Sequence, residues 1–312
     1  MDKKSLVIGT RGSALALYQA NLVKAKLEDI YPTCSIELKI IQTTGDKRTD
    51  VPLSEVAQVS GVVDKGVFIK ELEIALERGD IDVAVHSLKD VPSLLEPQFS
   101  LSAVLSRASV EDVLITKDPN WDGTGTLATG SLRRKLMARS YWGKELQFAD
   151  LRGNVPTRLE KLVNNDDWDA IILAKAGLER LGLYSPTAMV KSISVWMKEL
   201  PVTDFVPAVG QGIIGLETRR EDELTQSMIQ PINDAFSFAC AVAERTFLAK
   251  LGATCSTPVG VYANNGNSDD TMVLRVKYYR DNHDEPILFD VEGSPLEPEL
   301  LGEKAWLNLA QI

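Results

Sequence analysis

A helix followed by a strand occurs twice in the chain at a constant spacing, and this repeat constrains the fold more than any other feature. KELEIALERGDIDVAVHSLKDV (70–91) aligns with TRLEKLVNNDDWDAIILAKAGL (157–178) without a gap. The apolar positions of the two segments match, and Asp82 corresponds to Asp169 just before each apolar strand. Helix–strand units that repeat in one chain are typical of α/β sheets. The repeat therefore predicts two similar α/β domains.

The segments around each copy of the repeat extend this prediction. SLVIGT (5–10) has the pattern of a buried strand, and an amphipathic helix follows it, with Ser13 as the predicted N-cap. In the second half, TGTLATGSLRRK has the same order of strand, turn and helix, with Ser131 ending the turn. SIELKIIQT (35–43) and DIDVAVHSL (80–88) predict further strands. The polar segment 44–66 is too long for an ordinary connection, which suggests a mobile lid.

The last third of the chain has a different pattern. A helical segment, DAFSFACAVAERTFLAKLG, precedes three strand-like segments joined by polar turns, and a final helix is predicted over 298–310. VPAVGQGIIGLETR (206–219) has the composition of a strand that crosses between domains. We therefore predict an α/β fold with two similar domains and a small C-terminal α+β domain. Their predicted bounds are 1–105 with 213–230 for domain 1, 106–212 for domain 2 and 231–312 for domain 3.

Composition narrows the classes of function. The chain of 312 residues has a net charge of −10, which argues against a general nucleic-acid-binding protein. No apolar segment is long enough to span a membrane, and the N-terminus has no secretory h-region. We expect a cytoplasmic protein, with an organelle left open. The three cysteines and two histidines show neither a disulfide framework nor the spacing of a zinc site.

Arginines cluster at predicted strand ends and helix starts, where α/β proteins bind ligands. Arg133 and Arg134 lie in the first turn of a predicted helix, where two cations oppose the helix dipole. A bound anion explains this pair better than local stability does. No P-loop is present and no GxGxxG follows the first strand, so the anion is not expected to be a nucleoside triphosphate or a dinucleotide. Of the other arginines, Arg11 follows a strand, Arg152 lies in DLRGN, Arg158 opens a helix and Arg180 ends one, and any of these taken alone could be ordinary surface charge.

Two further residues have both a functional and an ordinary interpretation. Asp90 follows Lys89 at a predicted strand end and could act as an acid or stabilise a cation, or it could simply cap the turn before Pro92. Cys255 lies in the loop GATCSTPVG and could be an attachment point or a nucleophile, or it could be a small buried side chain. No paired histidine supports the nucleophile. Cys34 and Cys240 fit the buried interpretation better than Cys255 does.

Several motifs, taken together and in order, resemble the hydroxymethylbilane synthase family, also called porphobilinogen deaminase. They cover most of residues 6–218, and TCSTPVG (254–260) resembles the family's cofactor loop. The motifs are IGTRGSALALYQA, FIKELEIALERGDIDVAVHSLKDVPS, TGSLRRK, DLRGNVPTRLEKL, DAIILAKAGLERLG and PAVGQGIIGLE.

The resemblance implies that the first two domains are like periplasmic binding proteins. It also implies one dipyrromethane cofactor per chain, attached through a thioether to Cys255. On this primer the family condenses four porphobilinogen molecules head to tail with loss of ammonia, and water then releases the linear tetrapyrrole hydroxymethylbilane. The implied protein is a monomer whose partner is porphobilinogen, with no nucleic acid, membrane or metal. The alternative is a non-catalytic protein of the same fold that binds a small anion.

The resemblance also assigns residues by position. Asp90 matches the catalytic aspartate, which assists departure of the amine, stabilises the azafulvenium-like cation and helps to deprotonate the α-carbon. Two departures from the family pattern are Thr254, where glycine is expected, and segment 44–66, which is longer and poorer in lysine. The positions that match cofactor-binding or substrate-binding residues are Arg11, Ser13, Phe68, Lys89, Thr129, Ser131, Arg133, Arg134, Arg152, Arg158, Arg180 and Gln211.

Overall fold

The computed structural model describes residues 3–43, 69–253, 257–268, 270–280 and 285–312. Strands within these residues are β1 (Ser5–Thr10), β2 (Ser35–Ile40), β3 (Val83–Ser87), β4 (Phe99–Val104), β5 (Asp112–Thr116), β6 (Thr126–Ala128), β7 (Gln147–Ala149), β8 (Ala170–Ala174), β9 (Thr187–Val190), β10 (Ile193–Glu199), β11 (Ile214–Arg219), β12 (Val259–Asn265), β13 (Met272–Tyr278) and β14 (Ile287–Gly293). The α-helices are α1 (Ala14–Ile30), α2 (Lys70–Glu77), α3 (Leu132–Trp142), α4 (Val155–Asn164), α5 (Lys175–Arg180), α6 (Glu223–Ile229), α7 (Ala235–Lys250) and α8 (Pro298–Ala310).

Two of the three sheets share one topology. The first has the strand order β2-β1-β3-β11-β4, and the second has the order β7-β6-β8-β5-β10-β9. In each sheet the first three strands are parallel, and a strand from a distant part of the chain then pairs antiparallel with the third. This arrangement confirms the predicted pair of similar α/β units.

The two aspartates matched in the sequence repeat make the same contacts. Asp82 N donates to Val7 O (2.8 Å), and Asp82 Oδ2 accepts from Val7 N (2.8 Å). Asp169 N donates to Thr126 O (3.0 Å), and Asp169 Oδ2 accepts from Thr126 N (2.7 Å). Each aspartate lies just before the third parallel strand of its sheet and thus bonds the beginning of that strand to the middle one of the three parallel strands. The sequence match is therefore a structural equivalence.

The first helix of each repeat begins at the predicted serine. Ser13 Oγ accepts from Ala16 N (3.3 Å) at the start of α1, and Ser131 Oγ accepts from Arg134 N (3.4 Å) at the start of α3. Such caps satisfy backbone donors that have no partner inside the helix and contribute about 1 kcal/mol each. Both helices consequently begin at the carboxyl-terminal edge of a parallel strand, where ligands of α/β proteins bind.

The third sheet, β12-β13-β14, is antiparallel and is covered by α7 and α8. Its strands and both helices confirm the predicted C-terminal α+β unit. The core between sheet and helices is made of alanines, valines and larger apolar side chains such as Phe247 and Leu274, both fully buried. Within the residues that the structure describes, no helix is long and apolar enough to cross a membrane.

Two connections between the first and second sheets run side by side, and we call them the paired crossings (105–111 and 200–213). Leu105 N donates to Ile214 O (3.0 Å), and Ala108 N donates to Gly212 O (3.1 Å). Gly212 has φ +87°, and a Cβ there would lie 2.6 Å from Ala108 O. Glycine is required at this position because any side chain would separate the two crossings.

Three predicted segments differ from the structure or lie outside it. The strand predicted over 35–43 ends at Ile40, and the strand predicted over 80–88 covers only Val83–Ser87. The chain continues from β3 into a 3₁₀ turn, Leu88–Asp90, so Lys89 and Asp90 lie beyond the strand. The predicted lid, 44–66, lies outside the described residues.

Candidate active site

Lys89 and Asp90 lie in the 3₁₀ turn at the carboxyl-terminal end of β3. Leu88 anchors this turn, because its side chain is buried and its N–H donates to Ile213 O (3.0 Å). The side chains of Lys89 and Asp90 are exposed to solvent. The turn thus presents one cation and one carboxylate at the edge of the first sheet.

Arg133 and Arg134, in the first turn of α3, are both held by the buried carboxylate of Asp112. Arg133 Nη2 donates to Asp112 Oδ2 (2.7 Å), and Arg134 Nη2 donates to Asp112 Oδ1 (2.6 Å). The other terminal nitrogens donate to Val206 O (2.6 Å) and Ile172 O (2.9 Å), respectively. Both arginine side chains are almost fully buried. Each guanidinium is therefore fixed by at least two hydrogen bonds to the protein.

The charge of Asp112 is stable at neutral pH. Burial acts to raise the pKa of Asp112, but the charges and hydrogen bonds of Arg133 and Arg134 outweigh burial and hold it below its ordinary value. The three groups together keep a surplus of one positive charge. The sequence argument invoked a bound anion for the arginine pair, and the structure shows that the protein itself supplies one.

The charged groups that act on Lys89 come from both of the α/β sheets and their loops. Burial among protein atoms and, next, the charge of Arg134 lower the pKa of Lys89 to about 8, while Asp90 and Asp112 act to raise it. Solvent still reaches the Lys89 side chain. The turn after β3 and the start of α3 are therefore close enough to interact electrostatically.

Arg158, near the start of α4, belongs to the same neighbourhood. Its Nε donates to Gly153 O (2.7 Å). Burial and, next, the charge of Arg134 lower the pKa of Arg158 to about 10, Asp90 acts to raise it, and Arg152 adds to the repulsion. We call Lys89, Asp90, Asp112, Arg133, Arg134 and Arg158 the Asp90 site. Its four cations exceed its two carboxylates, so it is suited to bind an anion.

Four other predicted residues lie on the loops that begin α1 and α3. Arg11 is half-buried between β1 and α1 and has interactions of its own, and Ser13 follows it as the cap of α1. Thr129 is buried, and its Oγ1 accepts from Ser131 N (3.2 Å). Both serine hydroxyls accept a backbone hydrogen bond, and neither donates one within the described part of the chain, so each can still donate to a ligand.

Gln211 lies in the second of the paired crossings, and Arg180, at the end of α5, is hydrogen-bonded to the same crossing. Arg180 Nη2 donates to Gly212 O (2.7 Å). Gln211 is completely buried, and its Nε2 donates to Val110 O (2.7 Å) and Asp112 Oδ1 (3.0 Å). Arg180 also lines a cavity of about 650 Å³ beside α1, and no other predicted residue lines it. That cavity is separate from the Asp90 site. Two predicted residues, Phe68 and Cys255, lie outside the described residues.

Two consecutive residues of α7 connect the third sheet to the first two. Glu244 is fully buried and pairs with Arg107 Nη1 (2.5 Å) while accepting from Gly210 N (2.7 Å). Arg245 donates to Val91 O (3.3 Å) and Ser93 O (3.1 Å), in the loop that follows Asp90. The helix that leads toward the Cys255 loop is thus bonded both to the paired crossings and to the Asp90 loop.

Sequence reasoning missed Asp112, Arg107, Glu244 and Arg245. The arginine pair was a signal that a counter-charge was needed, but nothing local indicated which acidic residue supplies it. Among the described residues, no group of three or more His, Cys, Asp and Glu side chains is arranged to hold a metal ion.

The duplicated sheets, the excess of cations around Asp90 and the third sheet define the class: an α/β protein with two similar sheets, an added α+β unit and a cation-rich site at the edge of the first sheet. Residues 6–227 match the family model described as porphobilinogen deaminase, dipyromethane cofactor binding domain, and residues 238–311 match porphobilinogen deaminase, C-terminal domain. The chain therefore belongs to the porphobilinogen deaminase family, and dipyrromethane is the cofactor of the matched domain.

Individual relatives agree with the family models. The porphobilinogen deaminase of Chlorobium phaeobacteroides (strain BS1) is 38% identical over 99% of this chain and 98% of its own length. That of Syntrophobacter fumaroxidans is 36% identical over 99% of this chain and 95% of its own. Among solved structures, the periplasmic aliphatic sulphonate binding protein SsuA from Escherichia coli covers 80% of this chain and 71% of its own, at 15% identity and a TM-score of 0.40.

Proposed function

We propose that this protein is a hydroxymethylbilane synthase, a transferase of tetrapyrrole biosynthesis. It condenses four porphobilinogen molecules stepwise onto a dipyrromethane primer, one ammonia being lost at each step. Hydrolysis then releases the linear tetrapyrrole hydroxymethylbilane and leaves the primer on the protein. Membership of the porphobilinogen deaminase family supports this reaction.

The single structural observation that carries the proposal is one exposed carboxylate, Asp90, among an excess of cations that are buried or half-buried except for Lys89. Each pyrrole of such a chain bears an acetate and a propionate, so substrate and primer are polyanions. Guanidinium groups suit carboxylates because they offer paired donors in a plane. The residues of the Asp90 site therefore fit the group that the family implies.

Asp90 is the catalytic residue of the proposal. A carboxylate beside a pyrrole N–H accepts its hydrogen bond and stabilises positive charge as the amine departs. The same carboxylate takes part in removing the α-proton after coupling, provided that the ring stays within hydrogen-bond reach. The cations around Asp90 hold the side-chain carboxylates, which leaves Asp90 to act on the ring.

The primer is held, in this proposal, by Cys255 through a thioether. When bound, the dipyrromethane supplies the free α-carbon to which the first substrate unit is added. Helix α7 precedes Cys255 in the chain, and its contacts with the paired crossings and with the loop after Asp90 support the proposal. The residues proposed to bind the carboxylates of cofactor and substrate are Arg11, Ser13, Phe68, Lys89, Thr129, Ser131, Arg133, Arg134, Arg152, Arg158, Arg180 and Gln211.

We further propose the domain division 1–105 with 213–230, 106–212 and 231–312. The assignment of β11 to the first sheet supports the return of the chain to domain 1. We place the reaction in the cytoplasm and the active form as a monomer, without nucleic acid. Three cysteines without framework spacing fit a reducing compartment.

Intact-protein mass spectrometry of the purified protein, beside a Cys255→Ser variant, tests the proposal. We expect an added mass equal to two linked pyrroles in the wild-type protein and none in the variant. If the wild-type chain is unmodified, it is incubated with porphobilinogen and measured again. A chain that still gains no mass and consumes no porphobilinogen refutes the enzyme and leaves the anion-binding alternative.

A further inference from the structure

The Asp112 side chain is fully buried, and three other side chains donate hydrogen bonds to its carboxylate. Besides Arg133 and Arg134, its carboxylate accepts from Gln211 Nε2 (3.0 Å). Isolated buried carboxylates are costly, so this position is tolerated only because its charge is paired and its oxygens are hydrogen-bonded. The partners come from two places in the chain: the first turn of α3 and the second of the paired crossings.

One N–H donor of Arg134 has no hydrogen-bond partner among the described residues. Both terminal nitrogens of Arg134 donate to the protein, whereas its Nε is buried and has no hydrogen-bond partner in the described part of the chain. An unsatisfied buried donor is unusual in a native protein. The hydrogen bonds to Asp112 and Ile172 O fix the plane of this guanidinium, and therefore the direction in which the free N–H points.

Without a bridging carboxylate, Arg133 and Arg134 would be neighbouring like charges on flexible side chains. Each arginine side chain has about 2 kcal/mol of rotamer entropy to lose on being fixed. In the structure Asp112 fixes both before any ligand arrives, and a ligand bound to a preorganised site does not have to order it. Gln211 ties this arrangement to the paired crossings through Val110 O (2.7 Å).

We propose that Asp112 is a positioning residue for carboxylate binding: it holds the guanidinium groups of Arg133 and Arg134 in the orientation that receives the substrate's carboxylates. The proposal rests on the proposed function for the identity of the ligand. It assigns no contact between Asp112 and the substrate. A merely structural Asp112 would affect stability and leave the affinity of the folded protein unchanged, so the two roles are separable.

The test compares the wild-type protein with Asp112→Asn, which keeps the shape of the side chain and removes its charge. Asp82→Asn is the matched control, because Asp82 is also ion-paired and hydrogen-bonded to backbone but lies at the opposite end of β3 from Asp90. KM for porphobilinogen and kcat are measured on the fraction carrying the primer mass, together with the thermal midpoint of each protein. The fraction of chains carrying that mass is itself recorded by mass spectrometry.

We expect Asp112→Asn to raise KM about tenfold or more, with kcat within about threefold of wild type, and to lower the fraction of primed chains. We expect Asp82→Asn to lower the thermal midpoint without changing KM. A KM for primed Asp112→Asn within about twofold of wild type overturns the proposal, whatever happens to the thermal midpoint.

If Asp112→Asn does not fold, Gln211→Met replaces it. Both Nε2 protons of Gln211 point to protein acceptors, so loss of that amide group weakens carboxylate binding through Asp112. We expect KM to rise about threefold or more, and an unchanged KM overturns the proposal.

If the wild-type protein neither carries the primer nor consumes porphobilinogen, the proposed function fails, and the proteins are compared by thermal stabilisation with citrate. Stabilisation of wild type but not of the variant supports the role of Asp112, and equal shifts, or none in either, overturn it.

Discussion

Glu244 is the residue whose loss should most weaken the attachment of the third sheet. Its Oε1 accepts from Arg107 Nη1 (2.5 Å) and Ala263 N (2.8 Å), and its Oε2 accepts from Gly210 N (2.7 Å). One buried carboxylate thus joins β12 to both of the paired crossings. We predict that Glu244→Gln destabilises the protein although it keeps the size of the side chain.

The magnitude follows from these contacts. An amide at this position leaves the Arg107 guanidinium without a counter-charge, and one oxygen acceptor becomes an N–H donor. If the new donor faces Gly210 N, two donors oppose each other in the interior. Breaking a buried ion pair by removing one partner costs about 3–5 kcal/mol. The amide oxygen keeps part of the hydrogen bonding, so we expect the lower end, about 3 kcal/mol.

Urea unfolding followed by circular dichroism measures the free energy of unfolding of each variant. The control is Arg275→Gln, which breaks an exposed pair of similar geometry: Arg275 Nε and Nη2 donate to Asp290 at 2.8 and 2.6 Å. Exposed pairs contribute about 0–1 kcal/mol. A loss for Glu244→Gln no larger than that for the control would refute the reasoning from burial.

Three further predictions concern the Asp90 site and the first sheet. Because the pKa of Lys89 is about 8, we expect an amine-reactive reagent at pH 8 to label Lys89 well before the surface residue Lys304. Peptide mass spectrometry measures the two labelling rates, and equal rates count against a lowered pKa of Lys89. Burial and then the charge of Glu217 raise the pKa of Glu73 to about 7, above its ordinary value of 4.5. Between these two values the folded state binds a proton that the unfolded chain has lost, so we expect the free energy of unfolding to fall as pH rises from about 5 to 7. Glu73→Gln should remove that slope from urea midpoints taken at pH 5, 6 and 7, and an unaltered slope would show that another group causes it. Asp90→Ala should keep the circular dichroism spectrum and nearly abolish porphobilinogen consumption, and wild-type turnover by this variant would exclude the catalytic role.

Features of the chain that depend on near neighbours could be predicted without the structure. Ser13 and Ser131 are helix caps because their hydroxyls reach a backbone N–H three residues ahead. The match of Asp82 to Asp169 depends only on the order of residues in two segments. The end of β3 was predicted one residue late, because a residue such as Leu88 is equally suited to a buried strand and to an anchored turn.

The order of strands could not be predicted in the same way. β11 lies antiparallel beside β3 although more than 120 residues separate them, and β5 lies antiparallel beside β8 although helices α3 and α4 come between them in the chain. Hydrophobic periodicity indicates that a segment is buried, but it does not indicate which other segment of the chain packs against it. The family motifs supplied the domain architecture that periodicity alone left open.

The sequence by itself determined the repeated helix–strand units, the caps, the C-terminal strands and the family to which the chain belongs, since each depends on residues within a short window or on motifs in order. Only the tertiary structure decided which charges meet. Asp112 joins Arg134 across 22 positions and Gln211 across 99, and Glu244 reaches Arg107 across 137. Such pairs form because burial leaves a charge no partner but another buried group, and packing of distant segments determines which group that is.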